Sequence, residues 1–378
     1  MNLEFSEEQD ALADMVAGIA SDAREKGWFA RSAGQDQSPR GDIVAQLASA
    51  DLLRLGLAEP LGVGGGWTER AIVAEQLGRS GYRGRYFDAQ AAVLAFSRLA
   101  AAGPDDSGWP AADTKAATAG QRFMAAPGLH NSTAGAQHGM LGQRVSGVEG
   151  APLATHVMWL RRAGSEPELM IAAVQPGGVQ VTEQESVDGD SVGAVDLPAS
   201  TDLRPVLAGP QAESFWSETR LAMAVLRAAE MVGACGIIVE RTVAHAMGRI
   251  VFGRPIAAFQ AAQHDLAKAE ILRRSARLLV YRAASQFEAE SPARERSGDM
   301  ALLLACDALL ECVRVASQIN GGTGFIVDHW LPDYFARAKA LDLRTGGRPC
   351  RLRHVRDSVL SARKAGLRMQ DFWQWGIQ

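Results

Sequence analysis

The sequence predicts a mainly α-helical protein with a small β domain set between two helical ones, on three observations. Apolar residues near the N-terminus recur at helical spacing. Residues 123–209 break into short β-prone runs separated by Gly, Pro, Asp and Ser. From residue 213 onward long uninterrupted amphipathic segments return, the pattern of a helical bundle. The expected units are 1–122, 123–209 and 210–378, and 378 residues suffice for them at about 150 residues per domain.

The first helix has a legible start. Ser6 followed by Gln9 makes a capping box, and Leu12, Met15, Val16 and Ile19 repeat along one face. Helical periodicity recurs over 41–56 and 68–78, on either side of Gly62, Gly64, Gly65 and Gly66. A glycine cluster can cradle phosphate, but a P-loop needs a Lys-Ser/Thr pair next. Here Trp67, Thr68, Glu69 and Arg70 follow, so a turn is expected. Residues 100–122, rich in Ala, Gly, Asp and Pro, read as a connection. Strands are expected at 155–160, 169–174, 179–181 and 192–197, and helices at 213–249, 259–288 and 297–319, the last closed by Gly321, Gly322 and Gly324.

Composition excludes several functions. Hydrophobic residues at 47% and charged residues at 22% rule out wholesale disorder. A net charge of −4 gives no global pull toward nucleic acid or anionic lipid. Cys235, Cys306, Cys312 and Cys350 lack metal or disulfide spacing, so reduced thiols are expected and no metal site. His130 and His138 read as surface or turn residues for want of a partner at ligand spacing. The acidic N-terminus has no apolar signal core and no stretch approaches about 20 apolar residues, so a soluble, cytoplasmic chain without a membrane partner is expected.

Two blocks are specific. Arg249-Ile250-Val251-Phe252-Gly253-Arg254-Pro255-Ile256, running on to Phe259-Gln260, resembles the flavin-site signature of the acyl-CoA dehydrogenase family. Gln318-Ile319-Asn320-Gly321-Gly322-Thr323-Gly324-Phe325 resembles the family's Gln-x-x-Gly-Gly-x-Gly-Phe motif, and Arg337-Ala338-Lys339 its following helix. On the residues alone, Arg249 offers a planar fork for a diphosphate, Gly321 and Gly322 allow close backbone approach, Phe252 can pack on a flat ring and Gln318 can hydrogen-bond an adenosine. An isolated arginine near a helix end is more often a C-cap, but the paired glycine block reverses those odds. Val251 stands where the family commonly has a hydroxyl or amide, which removes one polar contact. The resemblance implies an acyl-CoA dehydrogenase-like fold with a β-barrel-like middle domain and a C-terminal four-helix bundle. It also implies FAD held between two chains, with Arg249, Phe252, Gln260, Gln318, Gly321 and Gly322 serving a flavin seated mainly in a partner.

Removing the proton α to a thioester carbonyl requires a positioned base. The two positions where the family carries its glutamate are occupied by Thr345 and Met223, and neither side chain can serve. Asp342 and Glu230 are the nearest substitutes, and both read better as solvent-facing or ion-paired groups. The family's Thr-Glu-Pro-x-x-Gly-Ser-Asp and Trp-Ile-Thr/Ser flavin-ring strands are also missing around 125–145. This asymmetry resembles the non-catalytic subunit of bacterial α2β2 acyl-CoA dehydrogenases that act on bulky, steroid-type CoA thioesters. The expected partners are a paralogous subunit, an acyl-CoA and, among candidate acceptors, an electron-transfer flavoprotein. The alternatives are a homotetrameric enzyme with a relocated base and a catalytically silent scaffold.

Overall fold

The capping box closes as expected. Ser6 Oγ accepts from the Gln9 amide and Gln9 reaches back to Ser6, opening α1 (Glu7–Glu25) with Val16 and Ala20 buried and Met15 outside. The computed structural model describes residues 5–26, 43–101, 111–127, 129, 144–162, 166–175, 178–197, 205–364 and 366. His130, His138 and most of the 125–145 stretch therefore lie outside the described residues.

The helix expected over 41–56 is only α2 (Val44–Ser49), because Asp51 turns to φ 59° and ends it. The glycine cluster is the expected turn into α3 (Trp67–Ser80), where the Glu69 carboxylate accepts from the Gly66 amide at 2.6 Å. Two helices of the N-terminal region were not anticipated. α4 (Tyr86–Ala101) is buried on most of its circumference, so it carries no amphipathic stripe to read. α5 (Ala111–Thr118) falls in the stretch read as a connection, yet Ala117 is buried and Thr114 donates to the Phe96 carbonyl. Its small residues pack well and signal weakly.

Among the described residues seven strands follow: β1 (Met124–Ala125), β2 (Arg144–Glu149), β3 (His156–Arg162), β4 (Pro167–Ala173), β5 (Gln180–Gln184), β6 (Val192–Asp196) and β7 (Leu207–Ala208). They form two sheets, ordered β1-β3-β4-β7 and β2-β6-β5. Alternation fixes what each face covers. Val157, Trp159 and Met170 meet Val148 and Val195 between the sheets, while Met158, Leu169 and Ile171 face the helical core.

The long helices are α6 (Gly209–Gly248), α7 (Gln260–Glu288) and α8 (Arg294–Asn320), followed by α9 (Leu331–Arg344) and α10 (Gly347–Lys364). A short hairpin, β8 (Ile250–Val251) with β9 (Arg254–Pro255), joins α6 to α7. α6 does contain a window apolar enough to span a membrane, contrary to the expectation that no stretch comes near one. That window is 89% buried among α3, α7 and α8, as the central helix of a soluble fold is. α3 and α6 cross with their backbones touching: a Cβ on Gly78 would strike the Glu230 carbonyl, and one on Gly233 the Glu75 carbonyl. Only glycine permits that spacing at both positions.

Candidate functional site

The two sequence blocks come from the ends of α6 and α8. Arg249 follows the last turn of α6 as its C-cap, its amide bonded to the His245 carbonyl at 2.9 Å. So the plain structural role is real, but it uses only the backbone. The guanidinium is exposed and has no partner among the described residues. Phe252 sits at the β8–β9 tip with φ 53° and is 92% exposed. Burial would favour such a ring strongly, so its display marks a surface built to be covered. At the end of α8, Gly321 takes φ 57°, and neither it nor Gly322 has any atom within 4 Å of an added Cβ. Gln318 and Gln260 are exposed, as are Phe325, Ile326 and Val327 beyond them. An open glycine ledge, a free guanidinium and an exposed ring together fit one face of a diphosphate and an attached adenosine.

The other half of the expected site is closed. Where α4, β1, β2, α6 and the end of α9 converge, a cavity of about 80 Å³ remains, lined by Asp88, Met124, Glu149, Met223, Arg227 and Arg344. Ligand cavities run from about 300 Å³ upward. Three guanidiniums and four carboxylates occupy the rest of the space. Arg337 donates to Asp188 (3.0 Å), Asp190 (2.5 Å) and Glu230 (2.6 Å). Arg344 donates to Asp188 (2.7 Å), Asp190 (3.1 Å), Glu149 (3.2 Å) and the Ser186 hydroxyl (2.8 Å). Arg227 ties Glu149 (2.6 Å) to Glu230 (2.7 Å) and lies 3.6 Å over the Phe87 ring.

Such charges tolerate burial only because each is matched by several partners. Burial pushes the Glu149 carboxyl up, but Arg227, Arg344 and Arg337 outweigh it and hold it below its ordinary value. Asp188 is likewise pulled well below the carboxylate range, against burial, by Arg337 and Arg344. Asp88 goes the other way. Burial first, then the neighbouring Glu149 charge, raises it well above the usual range.

Neither position where the resemblance places a base holds a carboxylate. Met223 is buried against the small cavity. Thr345 is 2% exposed, its hydroxyl donating to the Leu341 carbonyl at 2.7 Å and accepting from Arg351 at 2.8 Å. Asp342 is ion-paired to Arg351 at 2.6 Å. Glu230 is 2% exposed and doubly paired, which is the ion-paired one of its two expected roles. The carboxyls that do reach the cavity, Asp88 and Glu149, carry no motif. Only the raised Asp88 in a helix buried all round marks the place.

Residues 215–360 match the family profile "Acyl-CoA dehydrogenase, C-terminal domain". The C-terminal part of the chain is thus similar to the acyl-CoA dehydrogenase family. It is 27% identical to the acyl-CoA dehydrogenase IpdE2 of Mycobacterium tuberculosis over 87% of this chain and 89% of that protein. It is 34% identical to the 3-(aryl)acrylate reductase of Clostridium sporogenes, but over only 32% of this chain and 31% of the relative, so that match spans about a third of each. In overall fold this chain is similar to a chain of the ChsE4–ChsE5 complex of M. tuberculosis, with a TM-score of 0.80 at 24% identity over 95% of this chain and 99% of that one. It is also similar to a Tcur3481–Tcur3483 steroid acyl-CoA dehydrogenase variant, with a TM-score of 0.78 at 20% identity over 95% and 99%.

Proposed function

We propose that this chain is the non-catalytic subunit of a heteromeric, FAD-dependent acyl-CoA dehydrogenase, completing a flavin site whose base and ring contacts belong to a paralogous partner. The observation that carries this is the division within one molecule. The residues suited to a diphosphate and adenosine are exposed and unpartnered among the described residues, while the place for a base and a flavin ring keeps a cavity of only about 80 Å³ beside buried ion pairs. Arg249 and the Gly321–Gly322 ledge hold the diphosphate end, Phe252 covers the adjoining face, and Gln318 and Gln260 satisfy polar edges of the adenosine. FAD, when bound, supplies the hydride acceptor for α,β-dehydrogenation of a CoA thioester. This chain's share is to position and to exclude water from the outer half of that group.

The likeness to two heteromeric assemblies, one of them named for steroids, supports a bulky acyl group as substrate and a heterotetramer as the assembly. An electron-transfer flavoprotein is the proposed acceptor and the cytoplasm the proposed location. The test is flavin content of the chain expressed alone and together with a paralogue that carries the glutamate. A colourless lone chain and about one flavin per pair in the complex are expected. A full flavin complement on the lone chain refutes the assignment.

One feature favours a second reading, an enzyme with a relocated base: the Asp88 carboxyl lines the cavity with its affinity for protons raised. In that case the lone chain carries flavin and dehydrogenates, and Asp88→Asn abolishes turnover.

A further inference from the structure

A larger cavity lies on the other side of α6, between α1, α3 and α9, and shares Glu230 and Arg337 with the ion-pair cluster. Its volume is about 330 Å³, within the range of small-molecule sites. The walls are apolar and aromatic, with Tyr82, Ala234, Trp330, Tyr334 and Leu341 around the space. Its charges do not balance. Arg337 is saturated by Glu230, Asp188 and Asp190, and Arg83 faces Asp333 at 3.4 Å. Arg24 and Arg241 are left with no carboxylate among the described residues. Arg24 donates to the Ser80 carbonyl and to the Tyr334 hydroxyl at 3.2 Å, both neutral acceptors. Arg241 has only the face of Trp330, at 5.4 Å.

Two half-buried guanidiniums at one apolar cavity repel each other. Burial holds Arg241 below its ordinary value, against a pull upward from Tyr334, and the Arg24 charge adds a smaller push down. A single anion between them removes that repulsion and gives each a charge-assisted partner.

We propose that this cavity binds a small carboxylic acid with an apolar ring or branched body, its carboxylate between Arg24 and Arg241 and its body against Tyr82, Trp330 and Leu341. The planar fork of arginine matches a carboxylate, and the apolar walls demand a hydrophobic remainder that inorganic anions lack. The volume admits a free acid and excludes a whole CoA thioester. This site is distinct from the exposed flavin-binding surface and does not depend on the subunit assignment, because it requires neither flavin nor partner.

The test is calorimetric titration of the full chain with cyclohexanecarboxylate, cyclohexanecarboxamide and inorganic phosphate. Saturable binding of the carboxylate, about tenfold or more tighter than either comparison compound, is expected. Arg241→Gln should weaken it about tenfold while the thermal unfolding curve stays in place. Ala234→Leu, which fills the space from α6, should abolish it. Equal binding of the amide or of phosphate, or full binding in Arg241→Gln, overturns the proposal. Flavin content measured on the same samples reports separately on the subunit assignment.

Discussion

The two ends of the expected flavin site are built in opposite ways. At the α6–α7 and α8–α9 junctions the polar and aromatic groups stand free: Arg249 lacks a partner among the described residues, Phe252 is 92% exposed and the Gly321–Gly322 ledge is open. Under the β sheets every charge is consumed, with Arg227, Arg337 and Arg344 interlocked with Glu149, Asp188, Asp190 and Glu230. On the proposed function, the first groups are left unsatisfied for a ligand to meet, whereas the second satisfy one another where the resemblance places a ligand. The first region should therefore respond to substitution in binding, and the second in stability.

The sharpest way to break this contrast is Arg337→Met. It strands Glu230, Asp188 and Asp190 without their shared partner, and a loss of about 3–5 kcal/mol in urea unfolding is expected. A loss under about 1 kcal/mol would mean the cluster is not what closes the cavity. Next in size is Gly233→Ala, which pushes α6 off α3 at the Glu75 carbonyl and should cost about 1–3 kcal/mol in the same measurement.

Arg249→Ala should leave unfolding within about 0.5 kcal/mol while flavin occupancy of the purified complex falls about tenfold. Unchanged occupancy would remove the ligand-reserved half of the comparison. The smallest effect is on pH dependence. Glu149 and Asp188 are held below their unfolded-state values, so their stabilisation is present above about pH 4 and drains as the pH falls through the lower folded values. Asp88 has the opposite sign, since its raised affinity makes acidification relieve a cost and offsets part of the loss. Urea midpoints followed from pH 6 to pH 3 should fall, and Asp88→Asn should deepen that fall.

The exposed half was legible in the sequence and the buried half was not, for a physical reason. Arg249–Gln260 and Gln318–Phe325 are contiguous runs at helix ends, where each local turn demands particular residues and so leaves a motif. The seven charged residues of the cluster are scattered from Glu149 to Arg344 and meet only when the sheets dock on α6 and α9. Met223 and Thr345, where the resemblance places a base, could be counted from the motifs, but the ion pairs around them could not. The long helices were readable to within a few residues because they have a polar face, and α4 was missed because it has almost none.

α6 runs unbroken for 40 residues, from the strands at Ala208 to the cap at Arg249. At about 1.5 Å per residue, Met223 and Arg249 stand about 39 Å apart on one rod. Backbone contact with α3 at Gly78 and Gly233 locks that rod in the middle. The far tip keeps its aim however the near end is rebuilt. A duplicated gene can thus shed the chemistry at one end of this helix and still present an unchanged fingertip to its sister protein. Division of labour between two such copies then needs no new architecture, only the loss of what the other retains.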